Sequence, residues 1–213
     1  MEQTKLTLAL PKGRLFKETI NLLLEASLIE EPLEEGRKLV IETAKFKILL
    51  AKPKDVPMLV ESGYADLGVS GWDTLWESGC DVYKLLDLGL GFCRICVAGF
   101  PEKKAEYENL SYIKVATKYP NIAREFFEKK GIKPFIYEMN GSVELAPLIG
   151  LTDYIFDLVQ TGRTLKENGL VVIDEAGTST AHLIANKNSF LLYNGRIRDI
   201  VQKLEKVIKA PPS

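Results

Sequence analysis

The stretch "DLVQTGRTL", Asp157 to Leu165, ends an apolar run on one carboxylate and then sets two threonines around a glycine and an arginine before a helical pattern begins. Amides at the start of a helix lack partners within it, glycine lets the chain approach a ligand closely, and the hydroxyls of Thr161 and Thr164 add donors. With the charge of Arg163, the composition is that of a phosphate cradle. Asp157 would repel a phosphate, so its presence makes sense if the ligand also carries ribose hydroxyls or a magnesium ion. The same residues would equally serve a helix capped by Thr161 or Thr164.

A second turn, "LPKGRL" (Leu10 to Leu15), places Lys12 and Arg14 around Gly13 at the start of another helix. Two cations at a positive helix terminus call for an anion nearby, unless both side chains point into solvent. In "LLAKPKDVPMLVESGYADLGVSGWDTL", Lys52 closes one strand, Asp66 opens the next and Gly71 to Asp73 end it. Lys52 is thereby placed to meet a ligand, Asp66 to cap or pair structurally, and Asp73 to cap the following helix or to bind. Glu144 in "GSVELAP" falls one turn into a short helix, as a ligand contact or as half of a capping box with Gly141 or Ser142. Cys93 and Cys96 in "CRIC" have no second pair, and their spacing in a strand turns them to opposite faces, so they read as packing. Arg94 between them can reach a ligand. His182 is the single histidine, which excludes a site built on several histidines and lends no support to a Ser-His-Asp triad.

These residues need elements to hold them. The chain alternates short β-branched runs with amphipathic stretches, which predicts an α/β protein with largely parallel sheets. Thr4 to Leu10 reads as the first strand, Arg14 to Ser27 as a helix, Lys38 to Ala51 as two strands joined near Thr43 to Lys45, and Pro53 to Ser62 as a helix. Strands follow around Leu67 and between Asp81 and Gly99, the latter broken by Gly89 and Gly91. "YIKVATK", "KPFIYEM", the strand before Asp157 and "GLVVIDEA" belong to a second lobe, with helices at Asn121 to Lys130 and around Val143 to Ile149. "GTSTAHLIA" returns to the first lobe, where Ile197 to Ile208 forms a last helix ended by Pro211 and Pro212. The expected organisation is lobe I over residues 1–91, lobe II over 92–178 and a return over 179–213, with ligands at the carboxyl ends of the strands.

With 213 residues, the chain can bury two cores of about 100 residues each. Its 28 Lys plus Arg nearly cancel 29 Asp plus Glu, so nothing points to nucleic acid or to a membrane surface. Three cysteines are too few for a disulfide framework, no uncharged stretch approaches the roughly 18 residues that span a bilayer, and "MEQTKLTLAL" lacks the form of a signal peptide. The expectation is a soluble, cytoplasmic protein.

Taken together, "LPKGRL", "DVPMLVESGYADLGVSGWD", "LGLGFCRICVA", "VATKYPNIAREFF" and "GSVELAPLIGLTDYIFDLVQTGRTLKENGL" resemble ATP phosphoribosyltransferase, the first enzyme of histidine biosynthesis, in that family's order from about Leu8 to the last helix. The resemblance implies a two-lobed fold like that of the type II periplasmic binding proteins, with a discontinuous first lobe. It implies transfer of a phosphoribosyl group from phosphoribosyl pyrophosphate (PRPP) to N1 of the ATP adenine, with release of pyrophosphate and dependence on Mg2+. Carried over residue by residue, Thr161, Gly162, Arg163 and Thr164 hold the 5-phosphate of PRPP, and Asp157 with Glu144 holds the ribose hydroxyls. Lys12, Arg14 and Lys52 face pyrophosphate and the ATP phosphates, with Gly13, Gly71, Asp73 and Arg94 around ATP. No residue is assigned as a direct metal ligand. Where many members have arginine, this chain has Lys52, which keeps the charge and loses the two-pronged geometry.

The family has a long form with a C-terminal regulatory domain, and the length of this chain resembles the short form. Short-form members work with a regulatory subunit similar to histidyl-tRNA synthetase in a hetero-octamer, and a dimer of the chain alone is expected. One rival reading is a cytosolic binding module of the same fold that closes on a phosphorylated ligand without chemistry. Another is a Rossmann-like phosphoribosyltransferase, in which the strand before the loop ends in two adjacent acids; here Phe156 precedes Asp157.

Overall fold

A computed structural model describes residues 5–210. Thr4 of the expected first strand, and Pro211 and Pro212 after the last helix, lie outside the described residues. The apolar run β1 (Leu6–Pro11) turns at Gly13, whose φ of 91° suits glycine, into α1 (Arg14–Glu25). That helix stops short of Ser27, which adopts a positive φ and reverses the chain. The hairpin β2 (Val40–Glu42) and β3 (Phe46–Ala51) is tied at Thr43, whose hydroxyl accepts the Phe46 amide at 3.0 Å. A single 3-10 turn at Pro53 leads to α2 (Val56–Glu61), then β4 (Leu67–Gly71), α3 (Trp72–Ser78) and β5 (Tyr83–Asp87).

There follow β6 (Cys93–Gly99), α4 (Lys104–Tyr107), β7 (Tyr112–Thr117), α5 (Pro120–Lys129), β8 (Lys133–Glu138), α6 (Leu145–Leu148), β9 (Tyr154–Val159), α7 (Arg163–Glu167) and β10 (Val171–Ser179). The chain ends with β11 (Ala181–Ala185), α8 (Lys187–Leu192) and α9 (Asn194–Ile208). Its contacts separate into two compact units that divide between Gly91 and Phe92 and again between Ser179 and Thr180, so the first unit is made of two stretches of chain. Among the described residues, no helix is long and apolar enough to cross a membrane.

The sheet of the first unit has the order β2-β3-β1-β4-β11-β5, and that of the second β10-β6-β9-β7-β8. The expectation of largely parallel sheets is corrected here. Only β3, β1 and β4 run parallel in the first sheet, and only β9, β7 and β8 in the second; the remaining pairings are antiparallel. A parallel crossover needs a dozen or more residues, which the short turn between β2 and β3 does not supply. The return strand β11 inserts between β4 and β5 against both of them. Helix α8 also escaped the sequence reading. It is nucleated by Asn186, whose side-chain oxygen accepts the amides of Asn188 and Ser189 at 3.0 Å each.

What these sheets do for function is fix strand ends. In the second unit, Phe156 is fully buried against Phe126 and Phe127 of α5, with ring centroids 5.7 and 5.9 Å apart. Neighbouring strand residues face opposite sides, so this ring anchors β9 from one face while Asp157 points from the other. Phe156→Ala is expected to cost about 3 to 5 kcal/mol in a urea titration. A cost below about 1 kcal/mol would show that the ring is not the anchor.

Candidate functional site

In the second unit, β9 delivers Asp157 as a buried carboxylate and then opens into the loop Gln160 to Gly162. Gly162 takes a left-handed conformation, φ 73°, and precedes the first residue of α7. No described group accepts a hydrogen bond from the amides of Thr161 or Gly162. That of Arg163 donates to the Thr161 hydroxyl over 3.4 Å, a long and weak contact. The side chain of Arg163 is exposed and tied to Glu167 at 2.7 Å. Loop, Asp157 and Glu144 line one cavity of about 210 Å³. Glu144 stands at the cap position before α6 and not one turn inside, as the sequence suggested, and no side-chain cap bond forms there.

Asp157 is the electrostatic centre of this cavity. Its Oδ1 accepts the Leu158 amide at 2.8 Å, and Lys118 places its ammonium 3.5 Å from Oδ2. Burial pushes its pKa above the ordinary carboxylate range, Lys118 and the Leu158 amide pull it down, and the negative charge of Glu144 pushes it up; burial prevails. Sequence reasoning gave Lys118 no role. The signal was present, since a lysine directly follows the strand "YIKVAT" just as Lys52 follows β3.

In the first unit, parallel pairing carries a second set to one edge. Pro11 of β1 lies opposite Ala51 of β3, so Lys12 and Lys52 leave neighbouring strands side by side, and β4 runs parallel to β1 toward Gly71. Neither lysine forms an ion pair with another described residue. Arg14 is bound to Glu18 at 2.7 Å, and the Gly13 amide donates to the Glu35 carboxylate at 2.7 Å. In the chain alone, Glu18 thus answers Arg14 and Glu35 the Gly13 amide, while Lys12 is left without an ion-pair partner among the described residues. Gly71 itself is the cap of α3, and Asp73 in the first turn folds back over it; a Cβ on Gly71 would lie 2.5 Å from Asp73 Oδ1. Glycine is required there by close approach.

The remaining expectations resolve locally. Asp66 is structural: its oxygens accept the Thr7 amide at 2.7 Å and the Ser189 hydroxyl at 2.6 Å. Arg94 lies opposite Val159, beside the loop's strand, and pairs with Glu175 at 3.4 Å, so the second unit carries it, apart from Gly13, Arg14, Gly71 and Asp73. Cys93 and Cys96 are buried, outside any disulfide, and burial raises the Cys96 thiol, as expected of packing. His182 sits in β11 against Trp72, ring centroids 5.9 Å apart. Among the described residues, no group of three or more His, Cys, Asp or Glu could hold a metal ion.

Two mixed α/β units, the first discontinuous and each presenting polar loops after a parallel trio, define a protein of the type II periplasmic-binding-protein-like class. A family profile described as ATP phosphoribosyltransferase matches residues 52–206. The chain is 61% identical over 196 residues to the ATP phosphoribosyltransferase of Aquifex aeolicus, covering 92% of each protein. It is 51% identical over 205 residues to that of Caldanaerobacter subterraneus, covering 95% of this chain and 97% of the relative. Among solved structures it is similar to an "ATP phosphoribosyl transferase (HisG:HisZ) complex from Thermotoga maritima", with a TM-score of 0.80, 32% identity, and coverage of 96% of this chain and 98% of that one. The chain belongs to the ATP phosphoribosyltransferase family.

The raised pKa of Asp157 has a thermodynamic consequence. Folding favours its protonated form, so the stability it contributes is full below the unfolded carboxyl pKa and is lost as pH rises through the folded value. Asp157→Asn, neutral at every pH, should therefore melt at a higher temperature than the parent at neutral pH, and the difference should shrink toward zero on acidification. A variant less stable at neutral pH would mean that Lys118 more than offsets burial.

Proposed function

We infer that the chain transfers the phosphoribosyl group of PRPP to N1 of the ATP adenine, giving N1-(5-phosphoribosyl)-ATP and pyrophosphate, the first step of histidine biosynthesis. The single observation that carries the site assignment is the meeting of the Thr161–Thr164 loop, Asp157 and Glu144 in one cavity. A ligand with a phosphate at one end and vicinal hydroxyls beside it uses all three: loop amides and hydroxyls take the 5-phosphate, Asp157 accepts from the ribose hydroxyls, and Glu144 assists. Arg163 must exchange Glu167 for the phosphate, a small cost because that pair is exposed.

The reaction makes modest demands on side chains. The lone pair of N1 attacks the anomeric carbon as the bond to the pyrophosphate oxygen breaks, and that oxygen leaves with the electron pair. N1 is unprotonated at neutral pH, so no general base is required, in keeping with a chain that has a single histidine. Catalysis rests on alignment and on stabilising separated charge. The carboxylates of Asp157 and Glu144 favour positive charge on the sugar ring. Lys12 and Lys52, side by side at one sheet edge, and Arg14 receive phosphate and pyrophosphate oxygens, while Gly13, Gly71, Asp73 and Arg94 contact ATP. Mg2+ would neutralise charge on the phosphates of PRPP and ATP and would be carried by the oxygens of those substrates, with no residue of this chain as its direct ligand.

The partner reading is drawn from the Thermotoga maritima relative, which is described in complex with HisZ. We extend this to the present chain: a regulatory subunit similar to histidyl-tRNA synthetase joins it in a hetero-octamer, the chain alone is a dimer, and both work in the cytoplasm.

The test is turnover of the purified chain with ATP, PRPP and Mg2+, with and without HisZ, following product absorbance. Product that requires both substrates is expected. Its absence under both conditions while PRPP still binds would leave a binding module. Thr161→Ala should lower kcat/KM for PRPP by roughly one to two orders of magnitude, the equivalent of one or two charge-assisted hydrogen bonds, with an unchanged melting temperature. Wild-type kinetics for this variant would remove the loop from the mechanism. Lys12→Ala should raise the KM for ATP or PRPP, and unchanged kinetics would place its ammonium in solvent.

A further inference from the structure

The residue left unused by every assignment above is Lys118. Thr117, the last residue of β7, pairs with Phe156, so the next residue of each strand, Lys118 and Asp157, emerge side by side from a parallel pair. The Lys118 side chain is 29% exposed and that of Asp157 12%, so this ion pair is the most enclosed in the second unit among those formed by described residues. Lys118 is absent from the lining of the cavity, whereas Asp157 is part of it. The lysine therefore reaches the site through the carboxylate.

We propose that Lys118 is a positioning residue of the PRPP site: its ammonium, set against Asp157 Oδ2, holds that carboxylate ionised and oriented so that it can accept from the ribose hydroxyls. This rests on the reading of Asp157 as the ribose contact. The other groups around Asp157 cannot do the same work. On β6 its register partner is Cys96, buried and neutral; before α6 stands Glu144, a like charge; on α7 Arg163 is paired with Glu167; and Glu138 ends β8 opposite Thr117. Lys118 is the single cation among them that touches the carboxylate. A carboxyl whose burial already favours the neutral form would lose acceptor capacity without it, since a protonated carboxyl offers fewer lone pairs to hydroxyl donors.

The experiment is calorimetric titration of PRPP with Mg2+ into the full-length chain from acid to neutral pH. In the parent, binding should weaken on the acid side as Asp157 takes up a proton. In Lys118→Met that acid limb should move to higher pH, with affinity about tenfold below the parent at the parent's acid midpoint. Lys118→Arg should keep the parent profile, and Lys118→Gln should follow Met, which preserves the comparison if the Met variant does not fold. The titration of PRPP itself is common to all variants and cancels in their ratios. An acid limb that stays in place in both neutral variants would overturn the proposal, as would an Arg variant that shifts like Met. Asp157→Asn separates the two readings. If it binds PRPP with the parent's affinity and acid limb, the assignment of Asp157 has failed; if it loses binding while Lys118→Met and Lys118→Gln behave as the parent, only the role of Lys118 has.

Discussion

A carboxylate can be withdrawn from water only if something compensates its charge, and the second unit is arranged around one such group. Asp157 is held within β9, two residues before its end, by an amide on one oxygen and an ammonium on the other. Each support requires a particular piece of the fold. The amide comes from the next residue of the same strand, the ammonium from the parallel neighbour β7, and the position of β9 from Phe156 wedged against α5. Those supports leave the group strained toward neutrality, a cost to stability that a ligand rich in hydroxyl donors can repay. Function and stability are here in opposition at one side chain.

The same constraint explains why both sheets keep a parallel trio among otherwise antiparallel strands. Parallel neighbours end on the same edge, so the residues following them converge: Lys12 and Lys52 in the first unit, Lys118 and the residues from Asp157 onward in the second. Antiparallel strands would alternate these ends. Strand-to-helix connections then make each edge a row of short loops, where backbone amides remain available and glycines such as Gly71 and Gly162 permit close approach. In the chain alone, some of these groups are held by internal acids: Glu35 on the Gly13 amide, Glu18 on Arg14, Glu167 on Arg163. Exposed pairs of this kind are worth little and yield readily to a phosphate.

Much of this was legible in the sequence because the loops carry their own chemistry. Thr-Gly-Arg-Thr after a strand, and Lys-Gly-Arg before a helix, declare anion-binding turns by residue type, and the apolar periodicity located the strands that precede them. Strand direction was not legible, since a buried strand reads alike whichever way its neighbour runs; hence the antiparallel insertion of β11 and the pairing of β6 with β9 were missed. Lys118 was missed for a related reason. Its place directly after a strand was legible, but its partner lies 39 positions away and is brought beside it by β7–β9 register, which no local pattern encodes. Short helices such as α8, fixed by one asparagine cap, fell below the reach of periodicity.

The proposed site depends above all on the loop from Thr161 to Thr164 receiving a phosphate through its backbone. The most direct measurement is an amide-resolved NMR titration of the isotopically labelled chain with ribose 5-phosphate, which has the phosphate and hydroxyls of PRPP and lacks its pyrophosphate. The largest shifts are expected at the amides of Thr161, Gly162, Arg163 and Thr164, with a smaller response at Leu158 as Asp157 engages the sugar. Saturable binding that leaves these amides unmoved while shifting others, such as those after Lys12 and Lys52, would place the phosphate outside this loop.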